Sequence, residues 1–153
     1  TGEAEDIETL LAEIDAVRDE IEGITVLGGE PLEQLAPVAQ LAAAMAVRGL
    51  GVLVSTGLTF TEARAKPGFE GLWRSIDTLV TGRFMAKHPE PRGGRAFIGS
   101  SNQRLMHRTT RYRDPRLWLG PPRAEVVLDA QGGAIVLGAP ALVATVRRRL
   151  AAS

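Results

Sequence analysis

A chain of 153 residues with 44% hydrophobic content can bury a real core and is too apolar to be disordered throughout. It contains no cysteine, which excludes disulfides and any thiolate metal site built from this chain alone, and no apolar run approaches the roughly 18 residues of a membrane span. The formal net charge is zero, yet residues 1–47 hold eleven acids and one base, whereas 83–123 hold ten bases and two acids.

The first residues are acidic rather than basic, so no signal peptide is read and a cytoplasmic location is expected. An amphipathic helix is predicted over 5–21. Ile7, Leu10, Leu11, Ile14, Val17 and Ile21 form one stripe, opposite Glu8, Glu13, Asp15 and Glu20. Gly23 ends it.

The short apolar run Ile24-Thr25-Val26-Leu27 follows and leads into Gly28-Gly29-Glu30-Pro31. This reads as a buried parallel strand, a tight glycine turn and a helix start. Glu30 then stands at the C-terminal end of a strand, where α/β sheets and barrels place ligands. The plain alternative is a βα turn with an exposed Glu.

A second helix is predicted from Pro31 or Glu33 to Arg48, with Pro31 in its first turn and Gly49 as its stop. A second strand covers 50–54 and ends in Ser55-Thr56-Gly57. Thr59 or Thr61 caps a short helix that fades by Pro67-Gly68, and 72–75 form a further helical turn. A third strand runs over 76–82 to another glycine exit. Strands linked by short helical crossovers predict an α/β architecture with parallel strands, either a partial barrel or an open sheet.

After Phe84 the texture changes. Residues 88–95 are a Pro/Gly-rich loop, 96–98 a short strand, and Gly99-Ser100-Ser101-Asn102-Gln103-Arg104 a polar run. Residues 124–129 and 134–137 flank a glycine turn and read as an antiparallel hairpin. A terminal helix is predicted over 142–150. Trp73 is read as core, Asp77 as a local pairing or helix-capping group, His88 as an exposed loop residue, and His107 as a surface or partner-contact group.

Three features carry a resemblance: Gly-Gly-Glu-Pro at 28–31, the strand and exit at 76–84, and Gly-Ser-Ser-Asn-Gln-Arg at 99–104. Their order and spacing resemble the radical S-adenosylmethionine proteins of the anaerobic ribonucleotide reductase activating type. The resemblance implies a partial (β/α) barrel over 1–108, with 109–153 as an extension carrying the hairpin and helix. It also implies S-adenosylmethionine as cofactor, and a 4Fe-4S cluster held by three cysteines in a C-x3-C-x2-C loop. Reductive cleavage to a 5′-deoxyadenosyl radical would follow, with hydrogen abstraction from a glycine of a partner enzyme or from another substrate. Carried over by position, Gly28, Gly29, Glu30 and Pro31 match the turn that binds the methionine amino group. Ser55 and Thr56 would contact its carboxylate or ribose, and Asn102 the nucleoside.

The cysteine loop is absent here; in the family it would lie just before the first helix. With no initiator Met, this implies a chain starting inside its parent, so that the cluster belongs to the parent alone. Thr81 and Ile98 stand where the family often has Asp and Arg. The implied partners are a protein substrate docked on the basic stretch 83–123 and a reductant protein such as flavodoxin. Two other classes stay open: a nucleic-acid or acidic-partner binding module on that stretch, and a non-catalytic S-adenosylmethionine-binding subunit.

Overall fold

The computed structural model describes residues 7–91 and 93–119 in full, together with the strands Ala124–Leu128 and Ala134–Gly138. The described chain divides into two compact units. One runs up to Phe84 and includes Asn102–Asp114; the other comprises Met85–Ser101 and the chain from Pro115 onward.

In the first unit, helix α1 spans Ile7–Ala16 and is shorter than predicted. Val17 adopts φ −116° and ψ 12°, a 3-10 turn follows at Arg18–Glu20, and Val17 leaves the apolar stripe at 41% exposure. Ile14 is buried, with Leu10 and Leu11 partly so. Asp15 receives a two-pronged bond from Arg48, Nε to Oδ1 at 2.6 Å and Nη2 to Oδ2 at 2.7 Å. That bond holds the Asp15 carboxyl below its ordinary range. Arg48 also donates to the Ala44 carbonyl, so one side chain ties α1 to the C-terminal end of the next helix.

That helix, α2, spans Leu35–Val47 after a 3-10 turn at Pro31–Gln34. Pro37 falls in its first turn, where a missing N–H breaks no intrahelical bond. Helix α3, Phe60–Ala65, begins with a reciprocal cap between Thr59 and Glu62. Helix α4 is Phe69–Trp73. Phe60, Phe69 and Trp73 pack ring against ring, with centroids 5.3 to 6.1 Å apart, which makes Trp73 part of the core packing.

Four strands form one sheet: β1 Gly23–Val26, β2 Gly51–Ser55, β3 Thr78–Thr81 and β4 Arg104–His107, in that order. The first three are parallel, and β4 runs antiparallel to β3. The register aligns Val26, Val54, Leu79 and Met106 in one row. With Ile24 and Val52 they form the face packed with Leu32, Ala42, Met45, Leu72 and Ile76. Two glycines set the base of the sheet. A Cβ on Gly23 would strike the Gly51 backbone, and one on Gly51 would strike the Tyr112 hydroxyl.

The expected partial barrel is not formed. The sheet is open and mixed, because between β3 and β4 the chain makes no helical crossover among its described residues and returns antiparallel. Strand β4 overlaps the end of the polar 99–104 run, in a segment with no predicted strand.

In the second unit, the strand expected over 96–98 is instead a turn. Phe97 takes φ +65°, outside strand geometry, and the described residues of 85–101 pair only through single bridges, Pro89 with Ser100 and Arg95 with Leu119. Strands β5, Ala124–Leu128, and β6, Ala134–Gly138, pair antiparallel as predicted, with Val126 opposite Val136. Their connecting turn and the predicted helix at 142–150 lie outside the described residues.

Candidate functional site

The three parallel strands end on the same side, and their exits form a cleft of about 210 Å³. Its walls are Leu27, Gly28 and Gly29 after β1, Ser55, Thr56 and Gly57 at the end of β2, Gly82 and Phe84 after β3, and Gln103 before β4. Pockets for whole drug-sized ligands span roughly 300–1,000 Å³. A cleft of this size has room for only one end of such a molecule, and Leu27 and Phe84 of its lining are exposed.

Gly28 and Gly29 have φ of +92° and +45°, and a Cβ at either would meet nothing within 4 Å. Backbone conformation and open space, rather than packing, account for both glycines. Their peptide groups are accessible to a ligand.

Glu30 follows this turn and joins three segments. Its Oε1 accepts from Leu32 N at 3.0 Å and Thr56 Oγ1 at 2.7 Å, and its Oε2 accepts from Gly57 N at 2.9 Å. The first bond caps the 3-10 turn that Pro31 opens; the other two bind the exit of β2 to the exit of β1. Thr56 is nearly fully buried, and its hydroxyl also accepts from Leu58 N. Pairing continues outward through Thr56 N to Val80 O and Gly82 N to Leu58 O. All three donors to Glu30 are neutral, and no cation among the described residues lies within ion-pair distance. A partly buried carboxylate thus stands bonded to Thr56 and Gly57 of the cleft lining, with no counter-ion among the described residues.

The predicted site residues separate into groups. Gly28, Gly29, Ser55 and Thr56 line the cleft; the Ser55 hydroxyl makes no hydrogen bond among the described residues. Glu30 and the buried Pro31 are not in the lining. Asn102 is not in the lining: its amide nitrogen donates to the Arg83 carbonyl at 2.9 Å. The neighbouring Gln103 lines the cleft, and its amide donates to Gly82 O at 3.1 Å. Gly57, Gly82 and Phe84 also line it. The glycines were legible as strand exits, whereas nothing in the sequence separates Gln103 from Asn102.

Two polar groups stand at the opposite end of the strands. Asp77 accepts from Val52 N at 2.9 Å and from Thr109 Oγ1 at 2.5 Å, which is a pairing role. His107 Nδ1 lies 2.8 Å from Thr78 Oγ1. Burial, with the Arg113 charge adding to it, lowers the imidazole pKa.

Among the described residues, no group of three His, Asp or Glu side chains could hold a metal. With no cysteine in the whole sequence, the chain has no donor set for an iron–sulfur cluster, which requires thiolates. No helix among the described residues is long and apolar enough to cross a membrane.

A family model described as 4Fe-4S single cluster domain matches residues 2–106. No curated protein and no solved structure matches the chain.

Proposed function

The chain belongs to the 4Fe-4S single cluster domain family, and from that premise we propose that it is the S-adenosylmethionine-binding part of a radical enzyme of the anaerobic ribonucleotide reductase activating type. The cluster does not fit on these residues, none of which offers a thiolate. Its thiolates would come from residues outside this sequence.

What this chain's own residues do is bind and orient. The observation that carries the reading is the partly buried Glu30 carboxylate, without a cationic partner among the described residues, bonded to Thr56 and Gly57 of the lining and following the open glycine turn at the ends of three parallel strands. A cationic ligand end is favoured there by charge, and the peptide carbonyls of the turn accept from an ammonium group. S-adenosylmethionine carries both an ammonium and a sulfonium charge, with a polar nucleoside beyond. In this reading the methionyl end sits at Gly28 and Gly29, Ser55 offers its hydroxyl, and Gln103 takes the place beside the nucleoside that the family resemblance implied for Asn102. Leu27 and Phe84, both exposed in the lining, offer the ligand apolar contacts.

A second reading is a subunit that binds S-adenosylmethionine without a cluster of its own, favoured by the cysteine-free composition. Calorimetric titration of the chain with S-adenosylmethionine tests what the two share. Saturable binding that Gly29→Ala weakens is expected. Absence of saturable binding to the folded chain would overturn both.

A further inference from the structure

On the reading of the cleft as an S-adenosylmethionine site, on which this rests, we propose that Asn102 is a positioning residue for the ligand. It lies outside the lining and sets the β3 wall of the cleft by holding the peptide group that leads into Phe84.

The exit of β3 is loose by composition. The ladder between β3 and β4 ends at Thr81 and Arg104. Gly82 follows with φ +104°, in a region that glycine enters freely and other residues rarely. Three successive peptide groups are nevertheless held there. Gly82 N donates to Leu58 O at 2.8 Å. Gly82 O accepts from Gln103 Nε2 at 3.1 Å, and Arg83 O accepts from Asn102 Nδ2 at 2.9 Å. A peptide unit is planar, so a bond to its carbonyl also orients the N–H of the next residue. The Arg83 carbonyl shares its plane with Phe84 N, and Asn102 therefore fixes the last peptide group before the ring that lines the cleft. A Cβ built on Gly82 would lie 3.6 Å from that same Nδ2 and 3.5 Å from Gln103 Cα, so both amide residues lie directly against the turn.

Phe84 is 55% exposed, so burial alone does little to hold its ring. Asn102 is itself exposed, and its bond reaches across 19 residues of chain. Glu30 already ties the exits of β1 and β2, and the two amides extend the hold to the exit of β3. Without the Asn102 donor, the Arg83 carbonyl turns to water at little cost in stability, and the wall samples several arrangements. Apparent affinity then falls in proportion to the population of the one that receives the ligand.

The test is calorimetric titration of S-adenosylmethionine into the full 153-residue chain, unaltered and carrying Asn102→Ala, Asn102→Asp, Phe84→Ala, or Asn102→Ala with Phe84→Ala. Asn102→Asp keeps the shape and removes the donor. Both Asn102 variants should keep a thermal midpoint near that of the unaltered chain and raise the dissociation constant about fivefold. In the Phe84→Ala background, Asn102→Ala should change the constant by less than about twofold, because the ring it positions is gone. A direct contact between Asn102 and the ligand, or a general loosening of the cleft, would instead give losses that multiply in the double variant. Multiplying losses would overturn this proposal alone, as would saturable binding to the unaltered chain with the same affinity in either Asn102 variant. Absence of saturable binding to the unaltered, folded chain would overturn the reading of the cleft and this proposal with it.

Discussion

Thr56 Oγ1 donates to Glu30 Oε1 at 2.7 Å across 26 residues of chain, tying the exit of β2 to the exit of β1. Hydrogen bonds to charged groups contribute about 1.5–3 kcal/mol each, and Glu30 holds three donors. Glu30→Ala should cost about 2–4 kcal/mol in urea unfolding. A double-mutant cycle with Thr56→Val should give a coupling of about 1–2 kcal/mol. Additive losses would mean the contact contributes little.

Gly29→Ala separates fold from ligand. At φ +45° with nothing near the added methyl, the substitution should cost about 1–2 kcal/mol of stability through backbone strain alone. A ligand resting on the turn would meet the methyl directly. The dissociation constant for S-adenosylmethionine, measured by titration well below the unfolding midpoint, should therefore rise by more than about tenfold. An unchanged constant would place the ligand elsewhere.

Asp77 should behave in the opposite way. Asp77→Ala leaves the buried Val52 N–H without its acceptor, a loss of about 2–4 kcal/mol. Because Asp77 lies at the far end of the strands from the cleft, ligand affinity should stay within about twofold in the folded variant, which paired urea and binding measurements would check.

The depressed pKa of His107 gives a pH dependence with a definite sign. Burial favours the neutral ring in the folded state. Between the folded pKa and the unfolded value of about 6.5 the unfolded chain binds more protons, so stability rises with pH there. The contribution is in place above about pH 6.5 and is lost as pH falls through the folded value. Urea midpoints measured from pH 5 to 8 should decline toward acid. His107→Gln should flatten that decline if the ring is its source.

The parts of this molecule that were legible in sequence are those where local pattern and tertiary structure agree. The apolar runs of β1 and β2 and their glycine exits mark strands, and Gly28 and Gly29 mark a turn, because backbone geometry is written in residue type. The role of Glu30 in the fold was not legible: it depends on Thr56 and Gly57 arriving from another strand, and a single carboxylate looks the same whether it waits for a ligand or ties two turns together. Strand β4 was missed because Arg104-Leu105-Met106-His107 is too short to display a period, and its pairing with β3 is long-range. That same return separates an open sheet from a barrel. Asn102 and Gln103 are adjacent and chemically alike, and only the fold commits one to the Arg83 carbonyl and the other to the cleft.

The most direct test of the central claim is electron paramagnetic resonance on the complete gene product carrying these residues, purified anaerobically, reconstituted with iron and sulfide, and reduced. The account predicts a 4Fe-4S signal whose shape changes on adding S-adenosylmethionine, with the change diminished by Gly29→Ala. A cluster whose spectrum ignores S-adenosylmethionine, or a folded protein that assembles no cluster, would contradict it.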